Sequence, residues 1–431
     1  MSLTKQQKAS YTLLYPLGVR MAGQLQLSFV SFKKDSYIVV EGKQNADRFF
    51  IIHQGKVKIS KEVEVVEEEG GNILGPGDFF GVVSTMSSHS HIETALALTD
   101  VVLISVHREQ YSQLIQKNTQ VAMKIILQFS KRLRYLDEAL SRITLKNTAE
   151  ADPSHLYNVA EYYIRQSKYN QAFYSYAQYI KYCPQGEYVA AARERMAKIG
   201  IYVKGVRTEF APDEFNRTYP KDTMLFAEGE PGSELFIIQK GSVKIAKIVD
   251  DNEVLLAVLK AGDIFGEMAL LEAKPRAASA SAYENCQVLA VNQANYERMI
   301  STQPQLIARL TTLLADRIWF IYKQLANTLI TDPLGRMYDA LLIQLEKNRI
   351  LPNSTNSHTF DFGPRELANM VGLPQKDANL VLKKMLENKK ILIQGDKIHT
   401  TVVNEIIKQS EFYRKMQKIE KARQDSRVAK P

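Results

Sequence analysis

Short runs rich in Val, Ile and Phe, cut off by Gly, Asp and Pro, fill two long stretches of the chain, about 20–145 and 204–330. That pattern predicts a small all-β barrel or sandwich in each stretch. Both stretches close on a helical spacing. In the first, Ala122, Ile126, Phe129, Leu133, Leu136, Leu140 and Ile143 recur at steps of three and four, and in the second Leu310, Leu314, Ile318, Ile321, Leu325 and Thr328 do the same. A seam of that period belongs to a helix lying along another helix, within one chain or between two.

The two stretches are copies of one domain. Residues 50–59 read FIIHQGKVKI and residues 236–245 read FIIQKGSVKI. Further on, GDFFG (77–81) meets GDIFG (262–266), and Ala95, Ala97, Val106 and Tyr111 match Ala280, Ala282, Val291 and Tyr296 at the same offset of 185 residues. Glu41-Gly42 matches Glu228-Gly229 upstream. Between the copies lies a segment of another kind, about 150–202, where nine of the 21 tyrosines fall within residues 153–199. There Leu156, Ala160, Tyr163, Tyr169, Ala172, Tyr176 and Pro184 resemble the bulky, small and aromatic positions of a tetratricopeptide repeat. One such repeat cannot bury its own apolar face, so it must lean on a neighbouring domain. It serves either as a spacer or as a peptide-binding surface.

Composition adds limits. The chain has 431 residues, 45% hydrophobic and 24% charged, which is globular and suits about three domains. No apolar run approaches the ~20 residues of a spanning helix, and the start has no continuous apolar region, so neither membrane insertion nor a secretory leader is expected. Two distant cysteines, Cys183 and Cys286, suit a cytoplasmic protein without disulfides or zinc. The net charge is +9, and the last 101 residues hold 18 Lys and Arg against 12 Asp and Glu. That basic excess points to a polyanionic partner without deciding it.

The chemistry sits in the second copy, where residues 262–282 read GDIFGEMALLEAKPRAASASA. A glycine turn enters a short helix near Glu267, whose free amides favour an anion. Arg276 can fork onto two phosphate oxygens, and the small Ala277, Ala278 and Ser279 let main-chain amides come close. Glu267 accepts hydrogen bonds only, which suits a ribose hydroxyl. This run, with the preceding strands, resembles the phosphate-binding cassette of cyclic nucleotide-binding domains. The resemblance implies a ligand site at Gly266, Glu267, Met268, Ala269, Arg276, Ala277, Ala278 and Ser279, with Glu267 on the ribose 2′-hydroxyl and Arg276 on the cyclic phosphate. An alanine after the arginine is the family's tendency for cAMP over cGMP; a cyclic dinucleotide stays open. The first copy reads FGVVSTMSSHSHIETA, with Val82 in place of the glutamate and His91 in place of the arginine. A lone histidine is mostly neutral at pH 7, so the first copy is expected to be structural, or to take another anion through His89 and His91. No catalytic constellation is present, and no enzyme is expected.

Residues 331–405 read as a helix, a helix–turn–helix around Gly372 and a β-hairpin at Gly395-Asp396. Directly after a cyclic-nucleotide domain with a long helix, this resembles the CRP/FNR family of bacterial transcription regulators. The resemblance implies a winged helix whose second helix enters the major groove. The family's Ser-Arg-Glu-Thr-Val-Ser-Arg run aligns with Pro374–Leu380, where both arginines are lost, as Gln375 and Leu380. Gln375 and Asn379 could read adenine edges, with Lys376, Lys383 and Lys384 on phosphates. Equally, Leu380 could pack on protein in a module that no longer binds DNA. Residues 406–431 form a basic tail. The expected fold is α+β: two β-rolls with long C-terminal helices, a helical hairpin spacer and a winged helix. The expected function is a cyclic-nucleotide-responsive DNA-binding regulator, a homodimer if one winged helix per chain meets a two-fold operator, with a fused pseudo-dimer inside one chain as the rival. The alternative is a nucleotide-controlled scaffold that recruits protein through Tyr174 and Tyr179.

Overall fold

The structure, a computed structural model, describes residues 7–8, 27–43, 46–61, 72–145, 153–211, 213–249, 252–266, 275–292, 304–350, 356–373 and 375–428, with single positions at 295, 298 and 302. The first copy runs through β1 (Gln7–Lys8), β2 (Ser28–Phe32), β3 (Tyr37–Val39), β4 (Arg48–Gln54), β5 (Val57–Ser60), β6 (Ile73–Leu74), β7 (Phe79–Phe80), α1 (Val82–Ser87), β8 (Thr94–Ala97) and β9 (Val101–His107). Then come α2 (Tyr111–Lys117), the long α3 (Thr119–Leu145), and three helices of the insert, α4 (His155–Arg165), α5 (Tyr169–Tyr182) and α6 (Val189–Ile199). The second copy holds β10 (Asn216–Tyr219), β11 (Met224–Phe226), β12 (Glu234–Lys240), β13 (Ser242–Val249), β14 (Asn252–Lys260), β15 (Ile264–Phe265), β16 (Ser279–Ala282) and β17 (Cys286–Asn292). The long α7 (Pro304–Thr328) leads to α8 (Pro333–Lys347), β18 (His358–Thr359), α9 (Pro364–Met370), α10 (Gln375–Leu386), β19 (Ile391–Gln394), β20 (Lys397–Thr400) and α11 (Val403–Val428).

The repeat is exact at the level of strand order. One copy has sheets β1-β2-β9-β4-β7 and β3-β8-β5-β6, and the other has β10-β17-β12-β15 and β11-β16-β13-β14. Apart from the added β1, each strand has its counterpart. Even the irregularities repeat: β4 slips register against β9 between Ile52 and Gln54, and β12 slips against β17 between Ile238 and Lys240. Alternation drives the burial, as in β5, where Val57 and Ile59 are buried while Lys58 and Ser60 face out.

By contacts the chain forms two compact units, and each draws on both halves. One unit combines residues 1–108, 135–146 and 315–431; the other combines 109–134 and 147–314. The long helices are therefore partners within the chain. In the first unit Arg317 Nη2 donates to Asp137 Oδ2 at 3.0 Å, joining α7 to α3. In the second, the buried Tyr111 hydroxyl meets Thr311 Oγ1 at 3.0 Å. The seam residues Ala122, Ile126, Phe129, Leu133, Leu310, Leu314, Ile318 and Leu325 are all buried. Of the two pairings open from sequence, this is the one inside a single chain.

The C-terminal helices belong to the first unit. Asp332 accepts from the amides of Leu334 and Gly335 and, with Pro333 next, starts α8 cleanly. The carboxylate of Asp339, fully buried on α8, accepts from Ser410 Oγ at 2.7 Å, Arg414 Nε at 2.6 Å and Asn327 Nδ2 at 3.0 Å. Those three bonds tie α7, α8 and α11 together. Beside them β18, β20 and β19 form a three-stranded sheet over α9 and α10.

Candidate functional site

The second cassette is built around Gly266 and Arg276. Gly266 leaves β15 at φ +76°, and a Cβ there would stand 2.8 Å from Arg276 Nη1. Only glycine lets the guanidinium lie against the chain. Arg276 is 5% exposed, donates from Nη1 to Gly266 O at 2.7 Å and places its Cζ 4.2 Å from the centre of the Phe226 ring. Its own main chain is fixed on both sides: its amide donates to Glu230 O at 2.8 Å and its carbonyl accepts from Gly229 N at 2.9 Å. The arginine thus points inward, its Nη1 on the Gly266 carbonyl and its guanidinium against the Phe226 ring. Ala277 and Ala278 follow, half-buried, at the entry to β16. The Ser279 hydroxyl accepts from Glu228 N at 2.9 Å and so holds the adjoining turn. Glu267, Met268 and Ala269 lie outside the described residues.

Below the arginine is a feature the sequence did not reveal. Tyr174 of α5 reaches out of the insert, and its hydroxyl donates to Leu225 O at 3.1 Å and lies 3.1 Å from Glu230 Oε2. Burial pushes the Glu230 carboxyl up to about 7, opposed by the Ala227 amide and the charge of Arg276. Burial likewise lifts Glu228 to about 7, although Lys247 Nζ stands 3.6 Å away. Both carboxyls therefore keep a proton in the folded chain that the unfolded chain, with an ordinary value of 4.5, has lost. The folded state binds more protons between those values, so its stability must fall as pH rises from about 4.5 towards 7. In urea titrations, Glu230→Gln is expected to shrink the stability that the wild type loses between about pH 5 and about pH 7.5. An identical loss in both proteins would contradict the buried carboxyl.

Tyr174 and Tyr179, expected on a partner-binding surface, are 4% and 2% exposed. Together with Tyr162, Tyr163 and Tyr176 they pack the insert against Met224 and Ala227 of the second β-roll. Desolvation of a helical hairpin too small to be stable alone is the physical reason. The insert leans on its neighbour as the sequence required, and it does so with the aromatic residues that had been candidates for a partner.

The first cassette keeps the scaffold and fills the space. Gly81 turns at φ +81°, and its amide donates to Glu93 Oε1 at 2.7 Å. The main chain of His91 is held by Lys43 O and Gly42 N, the same ladder that holds Arg276. Yet all six side chains of α1 are buried, and burial lowers the His91 pKa, so it carries no charge to offer an anion. Over it lies Trp319 of α7, 1% exposed. The Trp319 indole stacks on His89 with ring centres 4.1 Å apart, and its Nε1 donates to Ser90 O at 3.1 Å. His89 Nε2 in turn lies 3.2 Å from Asp316 Oδ1, and the Tyr322 hydroxyl donates to Glu41 Oε1 at 2.8 Å. Of the two histidines that could have read another anion, His89 is taken up by Asp316 and Trp319, while His91 is buried with its Nδ1 meeting no hydrogen-bond partner among the described residues. At the offset of 185 residues Trp319 corresponds to Arg134 of α3, which is buried beside the second cassette, its Nη1 3.5 Å from Pro275 O.

In the C-terminal module, α10 turns Ala378, Leu382 and Met385 into the core, which leaves Asn379, Leu380, Lys383 and Lys384 on the exposed face. Leu380 is 62% exposed, so it does not pack on protein here. The side chains of Gln375 and Lys376 lie outside the described residues. No metal-holding cluster occurs among the described residues, and no described helix is long and apolar enough to cross a membrane.

Comparison with known proteins agrees with this geometry. The profile of the cyclic nucleotide-binding domain family matches residues 29–118 and 216–303, one match in each β-roll. A CRP-like cAMP-activated global transcriptional regulator of Mycobacterium tuberculosis is 27% identical over 213 residues, covering 48% of this chain and 93% of its own. The cAMP-activated global transcriptional regulator CRP of Salmonella typhimurium is 27% identical over 176 residues, 40% of this chain and 83% of that one. Among solved structures, the c-di-GMP-responsive regulator CLP of Xanthomonas campestris aligns at 23% identity and TM-score 0.33, covering 43% of this chain and 92% of its own. Each β-roll thus matches the cyclic nucleotide-binding domain family, and the chain is similar to CRP-like transcriptional regulators.

Proposed function

We propose that this chain is a cyclic-nucleotide-responsive, DNA-binding transcription regulator in which the second β-roll alone takes the ligand. One observation carries the reading. Two cassettes on the same scaffold differ in what fills them: an inward guanidinium at Arg276 in one, and the indole of Trp319 in the other. In the second, Arg276 forks onto the cyclic phosphate while main-chain amides near Gly266, Ala277 and Ala278 complete the cradle and Glu267 takes the ribose. Cyclic AMP is favoured over cyclic GMP, since Ala277 offers no hydroxyl and the curated relatives are cAMP-activated.

The switch runs along α7, the covalent link between the second β-roll and the C-terminal helices. Its last turns are anchored by Asn327 to Asp339 and to Arg336 O at 2.8 Å. A ligand that prefers one setting of α7 then biases the placement of a winged helix formed by α9, α10 and the β19–β20 hairpin; a ligand indifferent to that setting shifts nothing. Asn379, Lys383 and Lys384 stand on the face that meets DNA, with Gln375 and Lys376 at the start of the same helix. Because the long helices pair inside the chain, the seam that would join two chains is already used, and the fused pseudo-dimer is favoured over the homodimer.

Fluorescence polarisation on duplexes selected from a random pool, with and without cAMP at two salt concentrations, tests the DNA reading. Ligand-dependent binding that survives raised salt is expected. Weak binding that salt abolishes and cAMP leaves unchanged would contradict it.

A further inference from the structure

Outside both cassettes, the seam between the insert and the second β-roll holds a cavity of about 500 Å3, a volume within the range of small-molecule sites. Two of its polar walls have no protein partner. Gln171 and Ser281 are each 6% exposed, both line the cavity, and neither side chain has a hydrogen-bond partner among the described residues. Neither carries a fully buried, unmet polar atom, so the carboxamide and the hydroxyl open onto the cavity itself. There they are free of protein partners and placed to bond to the hydroxyls of a guest in exchange for water.

The rest of the wall sets its chemistry. Lys168 and Lys244 both line the cavity, and both donate to the Glu253 carboxylate, at 2.8 and 2.7 Å. Each ammonium keeps further donors in reserve, but one carboxylate already offsets much of their charge, and Asp222 lines the cavity as well. A strongly charged guest gains little here. At the rim Tyr202, stacked on Tyr169 at 5.0 Å, and Tyr283 are each 57% exposed. Donors, acceptors and aromatic faces mixed at near-zero net charge suit a molecule whose hydroxyls both give and accept while its C–H faces lie on rings. We propose that this cavity is a second ligand site, separate from the cassettes, for an uncharged polyhydroxylated molecule of mono- or disaccharide size. Its floor strand, β16, begins three residues after Arg276, so occupancy is placed to be felt in the cassette.

Saturation-transfer NMR and calorimetry on the full chain with D-glucose, maltose and sucrose, and with inorganic phosphate as the charged control, test this. Saturable binding of at least one sugar is expected, weakened at least tenfold by Gln171→Leu and several-fold by Ser281→Ala, since a site built to hydrogen-bond a hydroxyl suffers when its own partner is removed. Ser281→Ala deletes a group that makes no protein bond, so its melting curve should match the wild type and keep the test clear of misfolding. No saturable sugar binding, sugar binding that both variants leave intact, or phosphate binding without sugar binding would each overturn the proposal.

Discussion

Trp319→Ala should destabilise the first unit by about 3–5 kcal/mol, the usual cost of emptying a fully buried tryptophan site. The ring is 1% exposed, stacks on His89 and closes a cassette whose helix is buried on every side. Its removal also strands the Ser90 carbonyl that accepts from the indole. Trp319→Phe keeps a ring over His89 but loses the donor and part of the buried ring, so about 1–3 kcal/mol is expected from the unmet acceptor and the smaller volume together. Urea unfolding followed by circular dichroism measures both. The chain has a single tryptophan, so wild-type fluorescence reports this contact alone and should be that of a buried indole. A loss below about 1 kcal/mol for the alanine variant would mean that the cassette is not held shut by this side chain.

The second large effect falls on the ligand. Arg276→Ala should weaken cAMP by about 2–5 kcal/mol, roughly thirty-fold to several thousand-fold, because the phosphate is left in a closed site without its counter-charge. Arg276→Lys restores the charge but not the fork, and is expected to fall between the two. The converse substitution separates sequence from space. His91→Arg places a guanidinium at the matching position of the first cassette, and it should create no binding, because Trp319 and the side chains of α1 occupy the room a ligand needs.

Local signals made the β-rolls legible. FIIHQGKVKI and FIIQKGSVKI became β4–β5 and β12–β13, and the glycines between them, Gly55 and Gly241, sit at φ +96° and +82°, where a side chain is strained. The helical seams were readable for the same reason: their period is set by the helix itself. What escaped was every contact between residues far apart in sequence. Trp319 meets Ser90, and Tyr174 meets Glu230, only because two helices pair and a hairpin docks. Nothing in the run around Tyr174 distinguishes a tyrosine that greets a partner from one that caps a buried carboxyl. The loss of Arg and Glu in the first cassette was plain from His91 and Val82; that an indole from the other copy takes up the space was not. At α10 the sequence left open whether Leu380 packs inward, and its exposure settles the packing.

The most direct test of the whole account is a calorimetric titration of the intact chain with cAMP, read for stoichiometry. One equivalent per chain, bound at least about thirty-fold more weakly by Arg276→Ala and retained in Trp319→Phe, is the predicted result. Two equivalents, or a single equivalent whose affinity Arg276→Ala leaves unchanged, would contradict it.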